Sequence, residues 1–194
     1  MNKKLSLLYK ELSKKGADFY LLSSSDEFLN EFIPDNKMRL KWLIDFSGSN
    51  GIALLSLNRQ IFFTDGRYLV QAKKELEKNF EIIDLNKINL HSFVKKELKK
   101  KKIILDTKTF NKNFVQELIK SGKKNKNIIS HDKFNLVDKI WLHKDFEKPK
   151  KFFKLEEKLV GASSEDKIKK IWDLKKNYDF VIISSPDSVC WLLN

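Results

Sequence analysis

Residues 51–68 read Gly51-Ile52-Ala53-Leu54-Leu55-Ser56-Leu57-Asn58-Arg59-Gln60-Ile61-Phe62-Phe63-Thr64-Asp65-Gly66-Arg67-Tyr68. Two apolar runs, 52–57 and 61–64, flank the polar Asn58-Arg59-Gln60, and this arrangement predicts a β-hairpin. A helix over 68–78 and a strand over 80–85 follow. Upstream, Leu5, Leu8, Tyr9 and Leu12 recur at helical spacing; Gly16 ends that helix, and 18–22 reads as a short buried strand. Residues 36–46 are again helical, with Leu40, Leu43 and Ile44 on one side. Downstream come two helix–strand pairs, 90–100 with 103–106 and 113–121 with 127–130. Strands interleaved with helices predict an α/β fold with a mixed β-sheet flanked by helices.

The texture changes at 141–155, where Pro149 lies among lysines and phenylalanines without a clean period, the mark of a connector. Beyond it, Ser163 or Ser164 caps a helix carrying Ile168, Ile171 and Trp172. A strand at 180–183 and a helix at 187–193, opened by Pro186, complete the reading. One helix, one strand and part of another helix cannot bury their apolar faces alone. The expected organisation is therefore a domain over 1–140, a linker over 141–160 and the truncated start of a second, similar α/β domain over 161–194.

Composition narrows the class. With 41% hydrophobic and 12% aromatic residues, the chain can build a core, which argues against disorder. Cys190 is alone, so no intrachain disulfide or Cys-based zinc site can form, and a reducing cytoplasm is the expected setting. No run of roughly 18 uncharged apolar residues occurs, so no membrane-spanning helix is expected. The formal charge is +13, with Arg39, Arg59 and Arg67 the only arginines among 39 basic residues. Residues 1–97 carry 16 basic and 13 acidic side chains, and 98–194 carry 23 and 13. The densest runs, Lys99 to Lys102 and Lys123, Lys124 and Lys126, precede apolar stretches, where lysine suits helix C-termini. The excess is read as solvated lysine surface and not as a nucleic-acid site, which would bind with strong salt dependence.

Few residues suggest chemistry. His91, His131 and His143 are far apart and belong to no paired ligand motif. No nucleophile elbow is present. Gly48-Ser49-Asn50-Gly51 either presents backbone N–H groups to an anion or forms a plain turn. The segment Thr64-Asp65-Gly66-Arg67-Tyr68 lies where a strand ends and a helix begins, the place where α/β sheets present ligand-binding groups. Asp65 suits a helix N-cap. Arg67 falls in the first turn, against the helix dipole, in a chain that otherwise uses lysine. Either its guanidinium fork holds a carboxylate or carbonyl of a ligand, or it pairs with a neighbouring acid.

These segments carry a resemblance. Ser25-Asp26-Glu27, Glu31-Phe32-Ile33-Pro34, Arg39-Leu40-Lys41-Trp42-Leu43, Phe46-Ser47-Gly48-Ser49-Asn50-Gly51 and Thr64-Asp65-Gly66-Arg67-Tyr68 together resemble the N-terminal domain of Xaa-Pro aminopeptidases, in the creatinase/prolidase superfamily. Asn135-Leu136-Val137-Asp138-Lys139-Ile140-Trp141 resembles the join between the first two domains of its long, three-domain members. Asp166-Lys167 and Trp191-Leu192-Leu193-Asn194 resemble the start of their second domain. The resemblance implies a ribonuclease H-like first domain and a metallopeptidase that removes the N-terminal residue preceding a proline.

Its two divalent metals, commonly manganese, are held in a C-terminal pita-bread domain, so no catalytic residue and no metal ligand is assigned to this chain. It further implies a cytoplasmic homodimer acting on peptides, with neither nucleic acid nor membrane as partner. Substrate binding falls on Arg67, supported by Asp65, Gly66, Gly48 and Ser49. Phe28 stands where family members often have a histidine, and no polar role is carried onto it. A stand-alone peptide- or protein-binding module with the same fold is the alternative.

Overall fold

The computed structural model describes residues 2–144, 148, 151–175 and 177–194. The chain divides into two units, Met1–Phe146 and Glu147–Asn194.

In the first unit, six strands form one sheet: β1 (Phe19–Ser23), β2 (Ile52–Leu55), β3 (Gln60–Thr64), β4 (Phe80–Asp84), β5 (Lys102–Leu105) and β6 (Ile128–His131), in the order β4-β3-β2-β1-β5-β6. The expected hairpin is β2–β3, closed by Ser56, whose backbone N–H and hydroxyl both donate to the Arg59 carbonyl. β1 pairs with β2 antiparallel and with β5 parallel. The β3–β4 and β5–β6 pairs are also parallel. Five strands thus share one direction and β2 alone opposes them.

Strand side chains alternate between two cores, because successive residues of a strand point to opposite faces. Tyr20, Leu22, Ala53, Leu55 and Phe62 pack with α1 (Lys3–Lys14), α2 (Arg39–Ile44), α3 (Leu69–Glu75) and, near the end of the unit, α6 (Leu136–Ile140). Phe19, Leu21, Leu54, Ile61 and Phe63 pack on the other face with α4 (Leu90–Glu97) and α5 (Lys112–Lys123). β1 is buried along its whole length, as a central strand covered on both faces must be.

Several elements end earlier than their periodicity. The helix expected over 36–46 is split by Met38 into a short 3-10 turn (Asp35–Lys37) and α2, which stops at the left-handed Asp45. The helix expected over 90–100 stops at Glu97, and Lys100 is also left-handed.

A buried arginine closes the unit. Arg39, 3% exposed, donates to both oxygens of Asp138 in α6 (Nε–Oδ1 2.7 Å, Nη2–Oδ2 2.8 Å) and to Glu27 Oε2 (Nη1 3.1 Å). Burial by itself would lower the Arg39 pKa, but Asp138 and then Glu27 more than offset that and hold the guanidinium charged above its ordinary value. Beside it Trp42 and Trp141 stack, with centroids 5.1 Å apart and planes 11° from parallel. Tyr20 donates from its buried hydroxyl to Asn135 Oδ1, and Asn135 donates to Asp106, so the sheet interior and the start of α6 share one polar network.

The second unit contains α7 (Glu157–Val160), α8 (Ser164–Leu174) and α9 (Pro186–Leu193). Ser163 caps α8, accepting from the Asp166 N–H at 3.1 Å, as its sequence predicted. The strand expected at 180–183 is not formed: these residues pair with no neighbouring strand, and none lies among the unit's described residues. A strand exists only through hydrogen bonds to a neighbour, so apolar patterning alone does not make one. Of the expected connector over 141–155, residues 145–147, Pro149 and Lys150 lie outside the described residues. Among the described residues no helix is long and apolar enough to cross a membrane.

Two predictions concern stability. Arg39→Ala leaves Asp138 and Glu27 short of their buried partner, with Lys144 and Lys37 still paired to them. Urea denaturation should therefore show a loss of about 2–4 kcal/mol, toward the low end for breaking a buried pair; Arg39→Lys, lacking the planar fork, should recover little of it. Glu11 receives hydrogen bonds from Lys139 of α6 and Lys14, which lower its pKa from 4.5 to about 2. Because the folded state holds the carboxylate to lower pH than the unfolded state, this contribution is complete above about pH 4.5 and disappears as pH falls to about 2. Denaturation midpoints measured between pH 6 and pH 2 should fall less steeply in Glu11→Gln than in the unaltered chain.

Candidate functional site

Because β2 runs against the other strands, the loop that leads into it sits at the carboxyl ends of β1, β3 and β5. Residues 46–51 therefore meet Ser24, Thr64 and Asp65, which follow or end those strands. The hydroxyl of Thr64 donates to the Asn50 carbonyl (2.6 Å), and the Ser24 hydroxyl donates to the Ser49 carbonyl (2.9 Å). Ser47 donates to Glu75 of α3 from both its N–H (2.8 Å) and its hydroxyl (2.7 Å). The loop is thus tied to three elements.

Its glycines are required by the rings beneath them. A Cβ on Gly48 would stand 2.4 Å from Phe46 Cζ and 2.8 Å from Tyr68 Cδ1, and one on Gly51 would stand 2.4 Å from Phe62 Cζ. Phe46 and Phe62 are fully buried, so they cannot swing away cheaply. Gly66 is different: a Cβ there meets nothing nearer than Asn86 Nδ2 at 3.7 Å.

Asp65 is the organiser of the next turn, although not as a helix cap. Its Oδ1 accepts the Arg67 N–H (3.0 Å), its carbonyl accepts the Tyr68 N–H (3.1 Å), and α3 begins only at Leu69 with Tyr68 at the capping position. Arg67 therefore lies ahead of the helix, outside its first turn. Asp65 holds the guanidinium with both oxygens (Nε–Oδ1 3.0 Å, Nη2–Oδ2 2.9 Å) and also accepts from Asn50 Nδ2 (2.7 Å). These donors, Arg67 first and Asn50 second, hold the Asp65 carboxyl well below the ordinary carboxylate range, and Asp65 in turn raises the Arg67 pKa.

The Arg67 side chain remains 73% exposed and lies over the Tyr68 ring at 5.2 Å. The Tyr68 hydroxyl meets Ser49 Oγ at 2.6 Å. The pairing with a neighbouring acid and the outward-facing fork thus coexist: two guanidinium nitrogens are taken by Asp65 and Nη1 makes no hydrogen bond among the described residues. Arg67, Asp65, Ser49 and Gly48 form one connected surface through Tyr68 and Asn50, and Gly66 sits at its tip. Beside them opens a cleft of about 90 Å³ lined by Ile33, Met38, Leu40 and Phe46, with Glu31 and Lys41 on it.

The histidines stay apart from this surface. His91 bonds the Phe114 carbonyl (3.1 Å), His131 meets the Thr107 hydroxyl (2.9 Å), and the His143 carbonyl accepts from Trp141. Glu27, Arg39 and Asp138 each lie in a family-like segment, but the sequence gives no sign that they are partners, since 99 residues separate Arg39 from Asp138. The signal for Arg39 was its rarity as an arginine.

The family model of the creatinase/prolidase N-terminal domain matches residues 4–140. Over 209 residues the chain is 31% identical to Xaa-Pro aminopeptidase 1 of Dictyostelium discoideum, covering 100% of this chain and 33% of that protein. It is 28% identical to the probable Xaa-Pro aminopeptidase P of Coprinopsis cinerea, covering 100% of this chain and 32% of that protein. The chain therefore spans about a third of the length of these relatives.

Among solved structures, X-prolyl aminopeptidase from Caenorhabditis elegans, described as a cytosolic enzyme with a di-nuclear active site, superposes with a TM-score of 0.84 at 24% identity, over 99% of this chain and 34% of that one. The N-terminal domain of the cytoplasmic peptidase PepQ from Mycobacterium tuberculosis H37Rv gives a TM-score of 0.57 at 18% identity, over 72% of this chain and 99% of that one. With its three-layer mixed sheet, its ordered motifs and a family match across the whole first unit's core, the chain belongs to the creatinase/prolidase N-terminal domain family.

Proposed function

We propose that this chain is the N-terminal, non-catalytic portion of an Xaa-Pro aminopeptidase, a hydrolase that removes the residue preceding a proline from the N-terminus of a peptide. The observation that carries the reading is the exposed Arg67 fork, fixed by Asp65 at the carboxyl edge of the sheet, in a chain aligned over its whole length with about a third of proteins named Xaa-Pro aminopeptidase. Arg67 binds a carbonyl or carboxylate of the peptide; Asp65 orients it, and Ser49, Gly48 and Gly66 shape the surface around it. Since Asp65 stays ionised far below neutral pH, Arg67 arrives at the substrate already aligned, which lowers the entropic cost of binding.

The two divalent metals of the reaction, manganese in this reading, belong to the metal-binding domain of the complete enzyme. They would polarise the scissile carbonyl and supply a hydroxide. In this reading the residues of this chain bind and orient the peptide, and the hydrolytic step falls to that other domain. The complete protein in this reading is a homodimer, and its cytoplasmic setting is in keeping with the cytosolic description of the C. elegans neighbour.

Two measurements test the proposal. In the complete aminopeptidase, Arg67→Ala should lower kcat/KM for an Xaa-Pro peptide by about 10- to 100-fold, the value of one charge-assisted contact. Asp65→Asn, which keeps a turn-forming side chain but frees the guanidinium, should cost several-fold less. Unchanged kcat/KM in both variants removes Arg67 from the substrate site. The 194-residue chain alone, incubated with manganese and the same peptide, should release no N-terminal residue; release would show that catalysis resides here.

A further inference from the structure

β1 is followed in sequence by β2, β3 and β4 on one side of the sheet, and the chain then crosses to β5 and β6 on the other. The loops leaving β1 and β5 therefore part in opposite directions and leave a crevice outside the carboxyl ends of these two strands. Such switch points are where open α/β sheets bind ligands. Here the crevice has a volume of about 280 Å³ and lies between residues 23–25, which end and follow β1, and 109–111, which follow β5.

Although 34% of the chain is charged, no Lys, Arg, Asp or Glu lines this crevice. Its apolar walls are Leu29, Ile52 and Phe110. Its free polar groups are neutral: Ser25 Oγ, Asn50 Oδ1 and Asn111 Nδ2 make no hydrogen bond among the described residues. A phosphate or other compact anion would find no cation here. An extended peptide main chain, which alternates N–H donors with C=O acceptors and turns successive side chains to opposite sides, matches both the neutral donors and acceptors and the apolar walls. Asn50 also fixes where the crevice lies, because its Nδ2 donates to the Asp65 carboxylate that holds Arg67. The crevice and the guanidinium are thus neighbours across a single side chain.

We infer that the β1–β5 crevice binds the residues of a peptide substrate that lie downstream of its proline, as an extended main chain, and so sets the preference for peptide length. This rests on the aminopeptidase reading for what the peptide is, but the crevice itself can be tested separately. In the complete enzyme, kcat/KM for the heptapeptide Ala-Pro-(Ala)5 should exceed that for Ala-Pro-Ala. Ser25→Trp, which fills the crevice, should reduce the ratio of the two by about tenfold. Asn111→Ser keeps a competent cap on α5 while removing the free amide, and should reduce the same ratio about three- to fivefold, the value of one neutral hydrogen bond. A ratio unchanged in both variants overturns the inference.

Photo-crosslinking of the unaltered enzyme with the heptapeptide carrying benzoylphenylalanine at its fifth position needs no turnover. Adducts within 23–29 or 109–111 support the crevice, and adducts only elsewhere, or none, overturn it. If no Xaa-Pro peptide is cleaved, the aminopeptidase reading fails, and the adduct positions still decide whether the crevice binds peptide.

Discussion

The guanidinium of Arg39 is buried, and a buried charge persists only where carboxylates and good geometry compensate its lost hydration. The compensation comes from two distant places: Glu27, in the loop after β1, and Asp138, in the last helix of the first unit. Satisfying one side chain therefore fixes three segments at once. The loop over 24–38 is drawn down at Glu27 and α6 is drawn against α2, while Trp141 is placed on Trp42. Asp26, beside Glu27 and 1% exposed, adds order by accepting from the Phe28 and Asn30 N–H groups. The fork geometry of arginine matters here, because one plane must serve two carboxylates.

That constraint shapes the carboxyl edge of the sheet. The loop held by Asp26 and Glu27 supplies Leu29 to the β1–β5 crevice and Glu31 and Ile33 to the cleft beside Phe46. The reversed strand β2 brings the glycine loop to the same edge, where Phe46 and Phe62 press against Gly48 and Gly51 and leave no room for a Cβ. Arg67 is then positioned by Asp65, whose carboxylate is itself held in place by Asn50 of the glycine loop. Rigid strands carry the loops, and the loops carry the polar groups, which is the usual division of labour in α/β proteins.

Much of this was legible in the residues. The hairpin at β2–β3, the helix–strand alternation and the Ser163 cap follow from apolar spacing and local hydrogen-bond chemistry. The misreadings share a cause, since each depended on a partner distant in sequence or on backbone conformation. Residues 180–183 have the apolar composition of a strand but no strand beside them. Asp65 has the chemistry of an N-cap, yet its carboxylate is engaged by a turn one step earlier. The five residues of α6 are too few to show a helical period, and they are held by contacts to α1 and α2. Arg67 stood out through its rarity, but composition could not show that Asp65 holds it while leaving it exposed.

By itself the sequence determined the α/β class, the order of nearly all elements in the first unit, the family and the conspicuous position of Arg67. Those properties depend on neighbours a few residues apart or on motifs read in order. Only the tertiary structure decided that Arg39 meets Glu27 and Asp138, that one antiparallel strand gathers the glycine loop and Arg67 at a single edge, and that a neutral crevice opens between β1 and β5. Each of these depends on strand order and burial, which bring together residues whose separation along the chain carries no local signal.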